Sequence, residues 1–284
     1  MIADAVRSVG GDRVAVRALM GPGVDPHAFR QTRSDIVAMT RADLVLYHGL
    51  DLEAQMIPFF ADLAGRTSVV AVAEALPQDQ LLADEDYENR FDHHVWMAPS
   101  LWQGVIDQVT AALITAAPAD AEVFRAQAEA YKTELADLAT YATQSLASVP
   151  EERRILVTAH DAFNYFGAAY GYEVQGIQGI STEREAGLNR IAELVDQLVS
   201  GQIGAVFVES SVSARNIREL IEGAAAQGHD VRIGGELFSD AMGSDGSYEG
   251  PSLGMIAHNV TTLAAAMGGT VPARGRLGKL EAGS

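Results

Sequence analysis

The sequence contains no cysteine. Disulfides, thiolate nucleophiles, iron–sulfur clusters and Cys-type zinc sites are therefore excluded, and any metal must be held by His, Asp or Glu. Long apolar runs are also missing: none approaches the roughly 18 residues that a membrane-spanning helix needs. Positive charge is scarce, with 20 Lys and Arg against 38 Asp and Glu and a formal charge of −18. Nucleic acid and anionic lipid would be repelled, so neither is expected as the main partner; cations would not. What is present is ordinary globular material: 284 residues, 48% hydrophobic and 20% charged, enough for one large domain or two modest ones. The opening Met1–Arg7 lacks the basic start and apolar core of a signal peptide. Ile2, Val6 and Val9 fall at helical spacing, so the reading begins inside a helix.

Short β-branched runs then alternate with helical patterns. Strands are expected at 13–19, 44–47 and 68–72, and helices at 32–41, 51–64 and 101–117. Gly21-Pro22-Gly23-Val24-Asp25-Pro26-His27 must be a loop. The polar, acidic stretch 77–93, with Asp79, Asp84, Glu85, Asp86 and Glu88, reads as an exposed loop. From Pro118 to Pro150 there is neither Gly nor internal Pro, and Ala, Glu, Leu and Gln dominate. Phe124, Tyr131, Leu135, Leu138, Ala142 and Leu146 share one helical face, which predicts a helix of about 29 residues, roughly 43 Å long. No similar partner helix is evident, so it reads as a rigid connector. The second half repeats the alternation, with strands at 154–158, 172–175, 205–208 and 231–233 and helices at 162–170, 185–200, 213–227 and 252–267. A Gly-rich, basic tail from 268 to 284 is expected to be loose. The sum is an α/β chain of two Rossmann-like lobes with mostly parallel sheets, joined by one long helix. The expected divisions are 1–117, a linker helix 118–149, and 150–284.

Position in this pattern singles out four side chains. His27 and His94 lie in loops after strands of the first lobe; His160 and Asp240 follow strands of the second. Ligands of open parallel sheets bind beyond the carboxyl ends of the strands, so all four converge if both sheets face one cleft. Three imidazoles and a carboxylate suit a divalent first-row metal. Taken singly, a loop histidine is more often solvated or bonded to backbone, and His48, His229 and His258 stay in that class. His93 adjoins His94, but neighbours in an extended segment point opposite ways, so one of the two is expected to face the centre.

The local motifs are more specific. Gly21–Phe29, Asp92-His93-His94-Val95-Trp96-Met97, Thr158–Phe166 and Gly234–Gly243 resemble, in order, the four ligand segments of the metal-binding solute-binding proteins of ABC importers, the TroA-like or ZnuA-like family. Ala42–Leu50 and Val208-Glu209-Ser210-Ser211 are similar to two further segments. His93 stands where the family has Pro, and His48 where Asn is usual. The resemblance covers nearly the whole chain.

It implies a protein outside the cytoplasmic membrane, periplasmic or anchored to its outer face, that captures Zn²⁺ or Mn²⁺, or Fe²⁺, in the cleft and delivers it to a membrane permease with its ATPase. It also implies His27, His94, His160 and Asp240 as the metal ligands, with Glu209 orienting a ligand or merely capping a strand end. A monomer without enzymatic activity is expected. Some relatives have been named adhesins, which makes cell adhesion a secondary label. The family has a strand and an export signal ahead of the helix that opens this reading; neither is seen in this sequence. The loop at 77–93 also lacks the His-rich insertion of many zinc-dedicated relatives. A metal-dependent hydrolase built on the same three histidines, with Asp240 as base, is the competing reading; four protein ligands would leave no open position for its water.

Overall fold

The computed structural model describes residues 1–84, 87, 89–183 and 186–280. Its first half runs α1 (Ile2–Gly10), α2 (Arg33–Arg41), β1 (Leu44–Tyr47), α3 (Ile57–Leu63), β2 (Ser68–Ala71) and α4 (Pro99–Ala116). β1 and β2 pair in parallel, with Leu44 opposite Ser68 and Tyr47 opposite Ala71. α2 starts at a reciprocal cap: the Asp35 carboxylate accepts the Thr32 N–H at 2.9 Å while the Thr32 hydroxyl accepts from the Asp35 N–H.

Two expectations for this half do not hold. No ladder forms at 13–19 among the described residues. Gly11–Arg13 is a 3-10 turn and the chain beyond it is extended but unpaired. The alternation is nonetheless there, since Val14 and Val16 pack on the core while Ala15 and Arg17 are exposed. A strand needs a hydrogen-bonding neighbour as well as a pattern. Here Val14, Val16, Leu44 and Leu46 line a cavity of about 1080 Å³ instead of meeting in a sheet. The helix expected from Asp51 begins only at Ile57. Leu50 and Asp51 take φ of 52° and 63°, outside the helical region, and Pro58 is tolerated only in a first turn.

α5 (Ala121–Ala147) has 27 residues, roughly 40 Å. Its buried face, Phe124, Ala128, Tyr131, Leu135, Leu138, Ala142, Ser145 and Leu146, is the predicted one with Ala128 and Ser145 added. It is not a bare connector. α1 and α4 pack on it from the first half, and α9 (Ser252–Ala266) from the second. One core therefore runs along its length, from Phe124 past Leu138 to Leu146. Each of those large side chains, taken out of water completely, contributes about 1.5–3 kcal/mol.

The second half continues with β3 (Ile155–His160), α6 (Asn164–Tyr170), β4 (Glu173–Gln178), α7 (Leu188–Ser200), β5 (Ala205–Glu209), α8 (Arg215–Ala226), β6 (Arg232–Leu237) and α9. β3 pairs with β4 and β5 with β6, both in parallel. All four strands run further than expected, β4 to Gln178. His160 and Glu209 each end a strand rather than follow one, and β6 passes through Gly234-Gly235 to Leu237. The two glycines read as a loop but are a bulge in the ladder between Val206 and Phe207. A side chain at Gly234 would strike the Phe207 ring, and one at Gly235 the Thr262 methyl.

The tail is not loose as far as it is described. The Thr270 N–H bonds to the Ser148 hydroxyl at 2.7 Å, and Leu280 is buried. Residues 281–284 lie outside the described residues, as do Glu85, Asp86 and Glu88 of the acidic loop and Glu185, the expected first residue of a helix. The loop also ends inside the protein, because Asp92 and His93 are buried. No helix among the described residues is long and apolar enough to cross a membrane.

Candidate metal centre

His27, His94, His160 and Asp240 arrive from four separate places. His27 ends the glycine- and proline-rich loop, whose turn at Gly21–Val24 puts Gly23 at φ 70°. His94 opens the 3-10 turn Val95–Met97. His160 is the last residue of β3, and Asp240 lies three residues beyond β6. Each offers one ligand atom, and these four atoms lie within 4.8 Å of one another. All four residues are buried.

The distances suit a single ion. The Asp240 Oδ2 is 3.1 Å from the His160 Nε2 and 3.7 Å from the His27 Nε2, and the Oδ1 is 3.3 Å from the His94 Nε2. Donors held about 2.0–2.1 Å from one tetrahedral ion lie about 3.4 Å apart. The three imidazole Nε2 atoms and both Asp240 oxygens are buried and face only one another. Native proteins rarely leave such atoms unsatisfied. A divalent cation would satisfy all of them together.

A second ring of carboxylates holds the imidazoles. Asp92 Oδ1 accepts the backbone N–H of His94 at 2.8 Å and faces its Nδ1 at 2.7 Å. Glu209 treats His160 alike, accepting its backbone N–H at 2.9 Å and lying 2.5 Å from its Nδ1. Each carboxylate fixes the tautomer that leaves Nε2 facing the centre. Asp25 Oδ1 accepts the His27 backbone N–H at 2.8 Å, and its other oxygen takes the Thr182 hydroxyl at 2.6 Å. Trp96 donates its indole N–H to the Ser239 carbonyl at 2.9 Å, tying the His94 turn to the residue beside Asp240.

These neighbours set the charges of the metal-free centre. Burial opposes a charge on His94, but the Asp92 and Asp240 carboxylates outweigh it and push the imidazole up to about 9. His160 is likewise raised well above its ordinary range, with Glu209 and Asp240 overcoming burial. His27 goes the other way, pulled down to about 4 chiefly by burial. Burial opposes ionisation of Asp240 too, yet the facing His160 and His94 hold it well below the usual carboxylate range. The centre without metal is thus an ion cluster held together by protons.

All four sequence-predicted residues are brought together, and Glu209 orients His160 in addition to ending a strand. Asp25, Asp92 and Thr182 escaped sequence reasoning. One signal for the aspartates was there: both stand two residues before a metal-facing histidine, in Asp25-Pro26-His27 and Asp92-His93-His94, and both bond to that histidine's N–H. Thr182 had no signal, since its partner is 157 residues away. The remaining histidines divide. His229 and His258 donate to the Ile203 and Glu236 carbonyls, at 2.8 and 2.9 Å. His48 is buried against Trp96 and Trp102 and pulled down to about 3 by burial. His93 packs on the metal-facing rings.

Similarity to known proteins agrees with this geometry. The family model described as the zinc-uptake complex component A, periplasmic, matches residues 1–266. The manganese-binding lipoprotein MntA of Bacillus subtilis is 45% identical over 266 residues, 94% of this chain and 87% of that protein. The zinc-binding protein TroA of Treponema pallidum is 44% identical over 267 residues, 94% of this chain and 86% of that protein. The solved structure of periplasmic zinc-binding TroA superposes with a TM-score of 0.92, covering 94% of this chain and 96% of that one. The family is one of transport binding proteins and not of enzymes, so the hydrolase reading is set aside. By the family match, the extent of the identity and the shared fold, this chain belongs to the zinc-uptake component A family of metal-binding solute-binding proteins.

Proposed function

We propose that the protein captures one divalent transition-metal ion between its two lobes and hands it to the membrane permease of an ABC importer. Zn²⁺ or Mn²⁺ is the cargo, with Fe²⁺ the third candidate, and His27, His94, His160 and Asp240 are its ligands. The observation that carries this reading is the convergence of those four buried ligand atoms within 4.8 Å. Relatives named for manganese and for zinc support the same class of cargo. The protein works outside the cytoplasmic membrane, free in the periplasm or tethered to the outer face. It acts as a monomer, and residues 1–117, 118–149 and 150–284 are its two metal-binding lobes and the linker between them.

The choice between metals turns on Asp240. Both of its oxygens face imidazole nitrogens and neither has another partner. Bound through one oxygen, it completes a tetrahedron that suits zinc; bound through both, it raises the coordination and makes manganese comfortable. Binding in vitro favours zinc whichever ion the cell supplies, because affinity rises along the series toward copper and zinc. α5, packed on helices from both halves, favours small lobe movements over a wide hinge. Release at the permease then comes from loosening of ligand loops.

The test is elemental analysis of protein taken from its native host, beside a His27→Ala/Asp240→Ala variant. One equivalent of Zn or Mn, absent from the variant, is the expected result. No bound metal, and no uptake on titration with Zn²⁺, Mn²⁺ or Fe²⁺, would overturn the reading.

A further inference from the structure

His93 was expected to point away from the centre if His94 points in, because neighbours in an extended chain face opposite ways. The backbone is not extended there. His94 takes φ −77° and ψ 39°, and the Val95 N–H bonds back to the His93 carbonyl at 2.8 Å. This tight turn swings both rings to one side, with centroids 4.4 Å apart. The His93 ring also lies 4.9 Å from that of His27. The rings of the three converging histidines are themselves 5.3–5.9 Å apart. His93 thus packs on two of the four converging residues, just outside the set whose ligand atoms lie within 4.8 Å of one another.

Its hydrogen bonding is that of a ligand. The His93 Nδ1 lies 3.2 Å from the Leu50 carbonyl oxygen. A carbonyl only accepts, so Nδ1 carries the hydrogen and Nε2 carries the lone pair. That Nε2 is buried and has no partner. A metal-bound imidazole is oriented in this way, one nitrogen donating to a fixed oxygen and the other free for the ion. The His48 Nε2 is buried without a partner too, but only His93 lies against the rings of two converging histidines.

We propose that His93 is an auxiliary ligand of the cargo ion: its Nε2 takes hold when the His94 nitrogen lets go, so that the ion enters and leaves without losing an imidazole. This rests on the assignment of the centre as the cargo site. The ion moves between adjacent nitrogens on one turn, and no other bond is made or broken.

The experiment measures zinc affinity by competition with a chelating dye in the wild type, His93→Gln, His94→Ala and the His94→Ala/His93→Gln double variant. Gln keeps an N–H that can reach the Leu50 carbonyl and removes the imidazole. His93→Gln alone is expected to slow zinc release to excess chelator in stopped flow, since the leaving ion then loses an imidazole; an unchanged rate would overturn the role. His94→Ala is expected to keep one zinc with weakened affinity, and adding His93→Gln to cost at least a further tenfold or so. The ligand-field bands of cobalt-loaded His94→Ala should shift when His93 is replaced. His94→Leu and His94→Leu/His93→Leu give the same comparison if a variant folds poorly. Equal binding by the single and double variants, or no zinc on His94→Ala at all, would overturn the role of His93. Failure of the wild type to bind would instead overturn the cargo site.

Discussion

Loading the centre should expel about two protons for each metal ion. In the metal-free protein His94 is pushed up to about 9 and His160 is raised well above its ordinary range, so both are cations at neutral pH. His27, pulled down to about 4, is already neutral. A metal needs all three Nε2 lone pairs, so the protons on His94 and His160 must leave when it binds. Above about pH 6 the apparent affinity should rise more steeply than the roughly tenfold per pH unit that one released proton gives. An unperturbed imidazole would lose metal only below about pH 6; the carboxylates of Asp92, Glu209 and Asp240 move the loss upward. Competition with a chelating dye across that range gives the slope. Trp96, whose ring is 5.2 Å from that of His94, supplies a fluorescence signal for occupancy. Calorimetry in two buffers of different protonation enthalpy counts the protons directly. A flat affinity, or release of fewer than about one proton per ion, would refute the electrostatic reasoning.

Three more outcomes are expected. Replacing Glu209 with Gln keeps an acceptor for the His160 backbone N–H but removes the charge facing Nδ1; affinity should fall about 10–100-fold, and an unchanged dye competition would show that the contact is only a strand cap. Thr182→Val removes the hydroxyl that the second Asp25 oxygen accepts while leaving the Asp25 bond to His27 in place. Metal release to excess chelator in stopped flow should quicken and Thr182→Ser should restore it; equal rates would exclude this contact as a restraint on the His27 loop. The metal-free protein should lose melting temperature as pH rises from about 6.5 to 9. A His94 raised above its unfolded value of 6.5 stabilises the fold fully below that value, and the contribution disappears through its folded value of about 9. Glu53, buried and pushed up to about 7, acts in the same direction at lower pH. Scanning calorimetry that shows metal-free stability rising across this range would contradict it.

Much of the architecture was legible because it depends on local pattern. The apolar face of α5 is readable from Phe124 to Leu146, since a helix buries every third or fourth residue whatever it packs on. Its packing partners were not, because α1, α4 and α9 are distant in sequence. The stretch at 13–19 shows the converse: its alternation is correct, yet no ladder forms, because pairing belongs to two strands and pattern to one. Gly234-Gly235 read as a loop because Gly is depleted in strands. There it stays in the ladder because Phe207 and Thr262 crowd it.

The sequence by itself determined the donor chemistry. Without cysteine, and with histidines placed near strand ends, the metal class and the four candidates His27, His94, His160 and Asp240 followed from residue type and position. Tertiary structure decided everything that depends on distance between remote segments. It brought Glu209 onto His160 and Thr182 onto Asp25, and it turned His93 inward beside His94. It also set the charge of each imidazole, raising His94 and His160 and lowering His27. The three residues are chemically identical in the sequence; only burial and facing carboxylates, which act over a few ångströms of space and not of chain, make them different.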